Sequence, residues 1–201
     1  SLASYHLGHD KVEMTRAFRT ICPEHVPQTL ILPNTAESRQ RVLDELPTPF
    51  VAKTVKSAQG RGVFLIETRE DWNAYADAHD VLYAQELLGA SRDLRLVVIG
   101  DEVVGGYWRE HAPGHFHNNV SRGGTVSEDP LPAAAIELVT SVARWLGIDH
   151  AGFDVMEHDG QLYLLEFNRL FGYSGLQQQK VELAPLIQRY LERLVGPRQA
   201  S

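Results

Sequence analysis

The stretch Lys53-Thr-Val-Lys-Ser-Ala-Gln-Gly-Arg-Gly62 sets a lysine at the end of an apolar run, then a loop of small residues and glycines. The loop joins two predicted strands, so it is neither a Walker loop nor a Rossmann turn, each of which feeds a helix. A glycine-rich hairpin can instead fold backbone N–H groups, here at Gln59, Gly60 and Gly62, over phosphate oxygens. A lysine held inside a β-lobe needs an anionic partner, and a nucleotide phosphate would serve. The same residues also suit a plain hairpin whose lysine snorkels to water.

A second set lies near the C-terminus. Asp154, Glu166 and Asn168 interrupt otherwise apolar strands, Phe-Asp-Val-Met and Leu-Leu-Glu-Phe-Asn. An apolar strand does not tolerate an unpaired carboxylate, so these groups need a cation or hydrogen-bond donors. Side chains alternate along a strand, so Glu166 and Asn168 share a face. Asp154 joins that face only if the hairpin loop is odd in length. A loop at 159–161 would set Asp154 opposite Glu166, and one at 158–160 would set them diagonally. A tight Asp159-Gly160 turn would put Asp154 on the other face. If the three converge, two carboxylates and an amide suit Mg²⁺ or Mn²⁺ rather than zinc. Otherwise they are salt-bridged acids on a half-exposed sheet.

Arg95 and Arg109 fall on partnered strands, and Arg122 lies in a polar loop beside Asn118 and Asn119. Arginines near a metal–phosphate site clamp phosphoryl oxygens or a substrate carboxylate. Gln85, Glu86 and Leu87 sit in a connector that could offer backbone groups to a purine base.

Several elements must position these residues. Asp10 with Glu13 reads as a capping box for a helix carrying Met14, Phe18 and Ile21. A short strand spans 28–32, and Asn34 or Thr35 caps a second helix. Strands at 50–55 and 62–67, a helix at 68–78 and a strand at 81–88 complete a first lobe. A hairpin pairs 94–99 with 103–109. Residues 110–131 read as irregular and polar. A helix from Pro132 stops at Gly147, a hairpin pairs 151–157 with 161–168, and a last helix over 185–195 buries Ile187, Tyr190, Leu191 and Leu194. The fold class is α+β, with helices on antiparallel sheets.

Composition agrees. The chain has 201 residues, 43% hydrophobic and 22% charged, enough for a core without staples. Its single cysteine, Cys22, excludes a disulfide framework or a four-cysteine zinc site. The net charge of −7 argues against nucleic acid as a partner. No apolar run is long enough to span a membrane, and no basic-then-apolar leader opens the sequence, so the expectation is a cytoplasmic protein.

In their order, the stretches VAKTVKSAQGRGVFLIET, QELLGASRDLRLVVIGDEVV, FHNNVSRGG and AGFDVMEHDGQLYLLEFN, with HDKVEMTRAF before them, resemble the ATP-grasp superfamily, and within it the RimK-type carboxylate–amine ligases. The resemblance implies an ATP-grasp fold, two α+β lobes clasping a nucleotide between antiparallel sheets. The smaller lobe would span about 23–85 and the larger about 86–195, with residues 10–22 as a leading helix. It implies ATP and Mg²⁺ (or Mn²⁺) as cofactors. Lys11 and Lys53 would touch the nucleotide, Glu86 and Leu87 the adenine, and Asp93 the ribose. His117, Asn118 and Asn119 match a nucleotide-contacting tripeptide that ordinarily begins with arginine. Asp154, Glu166 and Asn168 match the metal ligands, and Arg95 and Arg109 the phosphoryl clamp.

The implied reaction activates a small-molecule or peptide carboxylate as an acylphosphate, which an amine then converts to an amide, releasing ADP and phosphate. Two features depart from the family. The resemblance implies that the sequence starts at the ATP-grasp part, without the family's usual N-terminal domain, which would make it a stand-alone module, an excised piece, or a unit working with a partner domain or as a homo-oligomer. And Asn168 is followed by Arg-Leu-Phe-Gly-Tyr-Ser-Gly, where the family has a small residue and Ser-Pro-Gly. The competing readings are a nucleotide-binding module that does not ligate and an ATP-dependent phosphotransferase acting on a small acid.

Overall fold

The structure, a computed structural model, describes residues 2–56, 62–110, 125–127 and 129–196. Two antiparallel sheets organise them. In the smaller, β1 (Thr29–Pro33), β4 (Val81–Glu86), β2 (Phe50–Lys53) and β3 (Val63–Ile66) lie side by side in that order. Helices α3 (Ala36–Glu45) and α4 (Arg69–Asp77) close one face of it. Phe50, Ala52, Ile66, Leu82 and Ala84 point to these helices and pack with Val42, Leu46, Trp72 and Tyr75. Strand alternation therefore turns Val51, Lys53, Tyr83 and Gln85 to the opposite face.

The larger sheet runs β7 (Thr125–Ser127), β6 (Glu102–Glu110), β5 (Arg92–Ile99), β8 (His150–His158), β9 (Gln161–Asn168). Helices α2 (Lys11–Ile21) and α5 (Ala133–Leu146) cover one face, where Met14, Phe18, Val139 and Val142 pack on Leu94, Leu96, Phe153 and Phe167. On the other face, Val97, Ile99 and Tyr107 meet Leu176 of α6 (Ser174–Gln178) and the half-buried Leu186, Ile187 and Tyr190 of α7 (Leu183–Val195). The rest of that face carries polar side chains.

Local chemistry explains the boundaries. Asp10 accepts from the backbone N–H groups of Val12 and Glu13, which starts α2. Thr35, not Asn34, caps α3; the Asn34 amide is spent on the carbonyls of Ala76 and His79. Thr68 and Asp71 form a reciprocal capping box at α4. Gly147, at φ 63°, ends α5 in the left-handed region.

Four expectations need correction. Strand β2 stops at Lys53 rather than residue 55, and the Val55 carbonyl instead accepts from Lys11 N–H at 3.2 Å. Helices α1 (Leu2–Leu7) and α6 carry too few periodic apolar residues to show in the pattern, and β7 lies in a stretch read as irregular. Leu191 and Leu194 are exposed rather than buried, because α7 lies over the sheet on its Leu186–Ile187–Tyr190 flank. Among the described residues, no helix is long and apolar enough to cross a membrane.

Candidate functional site

The polar face of the large sheet is built by register. Tyr107, Arg95, Asp154 and Glu166 form one row across β6, β5, β8 and β9. On the same face, Arg109 pairs with Asp93 in the row to one side, and Asn168 pairs with Gly152 in the row to the other.

Four of these side chains neutralise one another. Arg95 donates from Nε and NH2 to the two oxygens of Asp154, the second bond at 3.0 Å. Arg109 donates from Nε to Asp93 Oδ1 at 2.9 Å and from NH2 to Asp93 Oδ2, and its NH2 stands 3.1 Å from Asp154 Oδ1. All four are buried. Burial opposes ionisation of Asp154, yet the guanidiniums of Arg109 and Arg95 outweigh it and hold the carboxyl below the ordinary carboxylate range. Burial pushes the Asp93 carboxyl up, against the pull of Arg109.

The turn between β8 and β9 is the tight Asp159-Gly160 pair, with φ of 51° and 75°. In a regular ladder that turn would set Asp154 on the face away from Glu166. It does not, because the register shifts between Asp154 and Val155: Val155 pairs with Leu164, while Asp154 pairs with Glu166. Leu165 is the extra residue of a β-bulge. Glu166 and Asn168 share the face, as alternation requires, and Asn168 Nδ2 donates to Glu166 Oε1 at 2.9 Å. Glu166 Oε2 lies 3.8 Å from Lys11 Nζ.

Lys53 approaches from the small sheet. Its ammonium donates to Gln85 Oε1 at 2.6 Å and lies 5.8 Å from the centre of the Tyr83 ring. Gln85 in turn donates from Nε2 to Thr29 Oγ1 at 2.8 Å, and Thr29 donates to the Pro27 carbonyl. The Tyr83 hydroxyl and Thr15 of α2 share a bond of 2.7 Å. Burial lowers the Lys53 pKa to about 8, while Glu166 and, more weakly, Asp154 pull it back up. The amine of one sheet and the acids of the other therefore sense each other's charge.

This geometry revises several sequence-derived roles. Gln85 is buried with both ends of its amide used, so its side chain anchors Lys53. Asp93 is buried against Arg109 rather than open to a ribose. The Glu86 N–H donates to Gln28 and its carboxylate accepts from Gln28 N–H at 2.6 Å, which pins the connector; Leu87 beside it is half-buried. Gly62, at φ 85°, accepts from Thr54 N–H and closes the loop after Lys53. Gln59, Gly60, His117, Asn118, Asn119 and Arg122 lie outside the described residues. Cys22 is buried, and burial pushes its thiol up to about 11, which leaves it no nucleophilic role at neutral pH. Sequence reasoning missed Thr15, Thr29 and Tyr83, whose roles depend on partners distant in the chain.

Among the described residues, no cluster of three or more His, Cys, Asp or Glu side chains gathers in metal-binding geometry. The donors on the large-sheet face are nonetheless all oxygens of carboxylates and an amide, which fits a hard divalent cation. Glu166 and Asn168 are side by side on this face, with the Asn168 amide N–H turned to Glu166 Oε1. Asp154 would join them on exchanging its guanidinium partners.

A family model described as the RimK-like ATP-grasp domain matches residues 19–191. The ribosomal protein bS6–L-glutamate ligase of Escherichia fergusonii is 33% identical over 156 residues, 74% of this chain and 52% of that protein. A probable alpha-L-glutamate ligase of Coxiella burnetii is 32% identical over 157 residues, 75% of this chain and 52% of that protein. The chain thus spans about half the length of the curated relatives it matches. Among solved structures, the ATP-grasp ligase PsnB with a minimal precursor superposes with a TM-score of 0.73 at 21% identity, over 94% of this chain and 62% of that one. The D-alanine–D-alanine ligase of Bacillus anthracis gives 0.76 at 16% identity, over 96% and 69%. At such identities the two structures show a common fold.

Proposed function

The chain belongs to the RimK-like ATP-grasp family, and from that premise we propose that it is an ATP-dependent carboxylate–amine ligase. The observation that carries the reading is the opposition of Asp154 and Glu166 across the β8–β9 ladder, within electrostatic reach of Lys53. A plain structural sheet has no need of a buried carboxylate opposite a second acid, nor of a buried amine, since each such group costs desolvation.

ATP is a substrate in this reading. A substrate carboxylate oxygen attacks the γ-phosphorus, the β–γ bridging P–O bond breaks, and ADP leaves. The amine nitrogen then attacks the acyl carbon, the C–O bond to phosphate breaks, and the amine proton is lost as the amide forms. A divalent cation, held by Glu166 and Asn168 and by Asp154, would screen the phosphate charge during transfer. Lys53 supplies a fixed ammonium to phosphate oxygens, oriented by Gln85 and Thr29. Lys11 adds a second ammonium beside Glu166. Arg95 and Arg109 exchange Asp154 and Asp93 for the oxyanions that arrive, so their positive charge is stored until the site is loaded. No protein nucleophile is needed. The relatives named as L-glutamate ligases and the peptide precursor beside PsnB support an amino acid or peptide as substrate.

The deciding experiment is ADP release with Mg·ATP and a panel of amino acids and dipeptides. Release that requires both a carboxylate and an amine supports the ligase. Release with the carboxylate alone makes the protein a phosphotransferase. A nucleotide-induced rise in Tm without any release makes it a binding module.

A further inference from the structure

Arg169 follows Asn168 directly, where the chain leaves β9. Its guanidinium lies over the Tyr5 ring at 4.6 Å and donates from NH2 to His9 Nε2 at 2.6 Å. A guanidinium has no acceptor, so Arg169 is the donor in this contact and His9 Nε2 the acceptor. Tyr5 also meets the His9 ring edge-on at 5.0 Å. The loop that bears Arg169 is tied down further along. Phe171 packs against Gly152, where an added Cβ would come within 2.9 Å of the ring, and Gly172 accepts from the Tyr107 hydroxyl at 2.9 Å. Arg169 is thus braced by two rings on one side and an anchored loop on the other.

Its electrostatic position differs from that of its neighbours. Arg95 and Arg109 are offset by Asp154 and Asp93. No carboxylate oxygen among the described residues lies within 4.0 Å of Arg169, and the stretches outside them hold one acidic side chain, Glu128. Arg169 is next in sequence to Asn168, and its partner His9 lies two residues from Lys11, the neighbour of Glu166.

We infer that Arg169 is a specificity-determining residue that seats a carboxylate of the amino-acid or peptide substrate. The inference rests on the ligase reading and names the group its substrate must carry. A planar fork of N–H donors matches a carboxylate in two parallel bonds, whereas the point charges of Lys11 and Lys53 suit phosphate oxygens. Tyr5 and His9 position the fork; Arg169 makes the contact.

The test compares carboxylate and carboxamide pairs, L-glutamate against L-glutamine and L-aspartate against L-asparagine, in two assays. The first is ADP release with Mg·ATP, with each member supplied both alone and beside a dipeptide panel. The second is calorimetric binding in the presence of Mg·ADP. The wild type should favour the carboxylate member in both. Arg169→Gln should lose that preference, with kcat/KM for carboxylate substrates falling roughly ten- to a hundredfold, while the KM for ATP and the melting temperature stay unchanged. Arg169→Lys should recover part of the preference. An unchanged preference in Arg169→Gln, no preference in the wild type, or a loss confined to ATP affinity would each overturn the inference. A binding preference that depends on Arg169, with no ADP release from any pair, would sink the ligase reading and leave the carboxylate seat standing.

Discussion

Asp154 stands directly across the β8–β9 ladder from Glu166, and it does so because Leu165 is looped out of register between them. Without that bulge, the tight Asp159-Gly160 turn would aim Glu166 at the core shared by α2 and α5. An ionised carboxylate would then lie against Phe153, where it has no partner, and Phe167 would turn out of the core. One unpaired residue thus decides whether the acids form a site.

Asp154 holds the charge balance of the large-sheet face. Asp154→Asn leaves two buried guanidiniums sharing one carboxylate, and should destabilise the fold by roughly 3–5 kcal/mol. Urea unfolding at neutral pH measures the loss. Adding Arg95→Met to it should return part of the stability and none of the ADP release.

Glu166 is half-buried and its bonds are to Asn168 and Lys11. Glu166→Gln keeps shape and hydrogen bonding but removes the charge. Stability should change by less than about 1 kcal/mol, while metal-dependent turnover should fall roughly a hundredfold or more. Wild-type rates across a Mg²⁺ titration would remove Glu166 from the cation site.

Lys53 gives the molecule a pH signature. Its pKa is about 8 in the folded chain and near 10.4 when unfolded, so between these values the unfolded state binds the extra proton. Stability of the ligand-free protein should therefore rise with pH across that window, by about 3 kcal/mol in total, and be flat for this group below pH 8. Phosphate binding needs the ammonium, so Mg·ATP affinity should fall above pH 8 by up to about tenfold per pH unit. Lys53→Met should abolish both slopes, read by chemical unfolding and by nucleotide titration.

Gly152 makes room for the clamp. A Cβ there would stand 2.9 Å from both Arg95 Cδ and the Phe171 ring. Gly152→Ala should cost about 1–3 kcal/mol by overpacking and push Arg95 off Asp154. ADP release should drop more steeply than nucleotide affinity, which a thermal-shift titration beside the turnover assay would separate.

The elements of the fold were largely legible in the sequence, because capping and periodicity are properties of neighbouring residues. Asp10, Thr35, Thr68 and Gly147 mark helix ends by local hydrogen bonds or by a left-handed backbone. Alternation alone put Glu166 and Asn168 on one face. The partners of the site residues were not legible. Lys53 finds Gln85, which in turn finds Thr29, on two other strands, Arg95 finds Asp154 across a ladder, and Arg169 meets Tyr5 and His9 from the opposite end of the chain. Periodicity reports which way a side chain faces; register, bulges and packing decide what it meets. Those are settled when whole sheets and helices compete for burial, and no local run of residues encodes that competition.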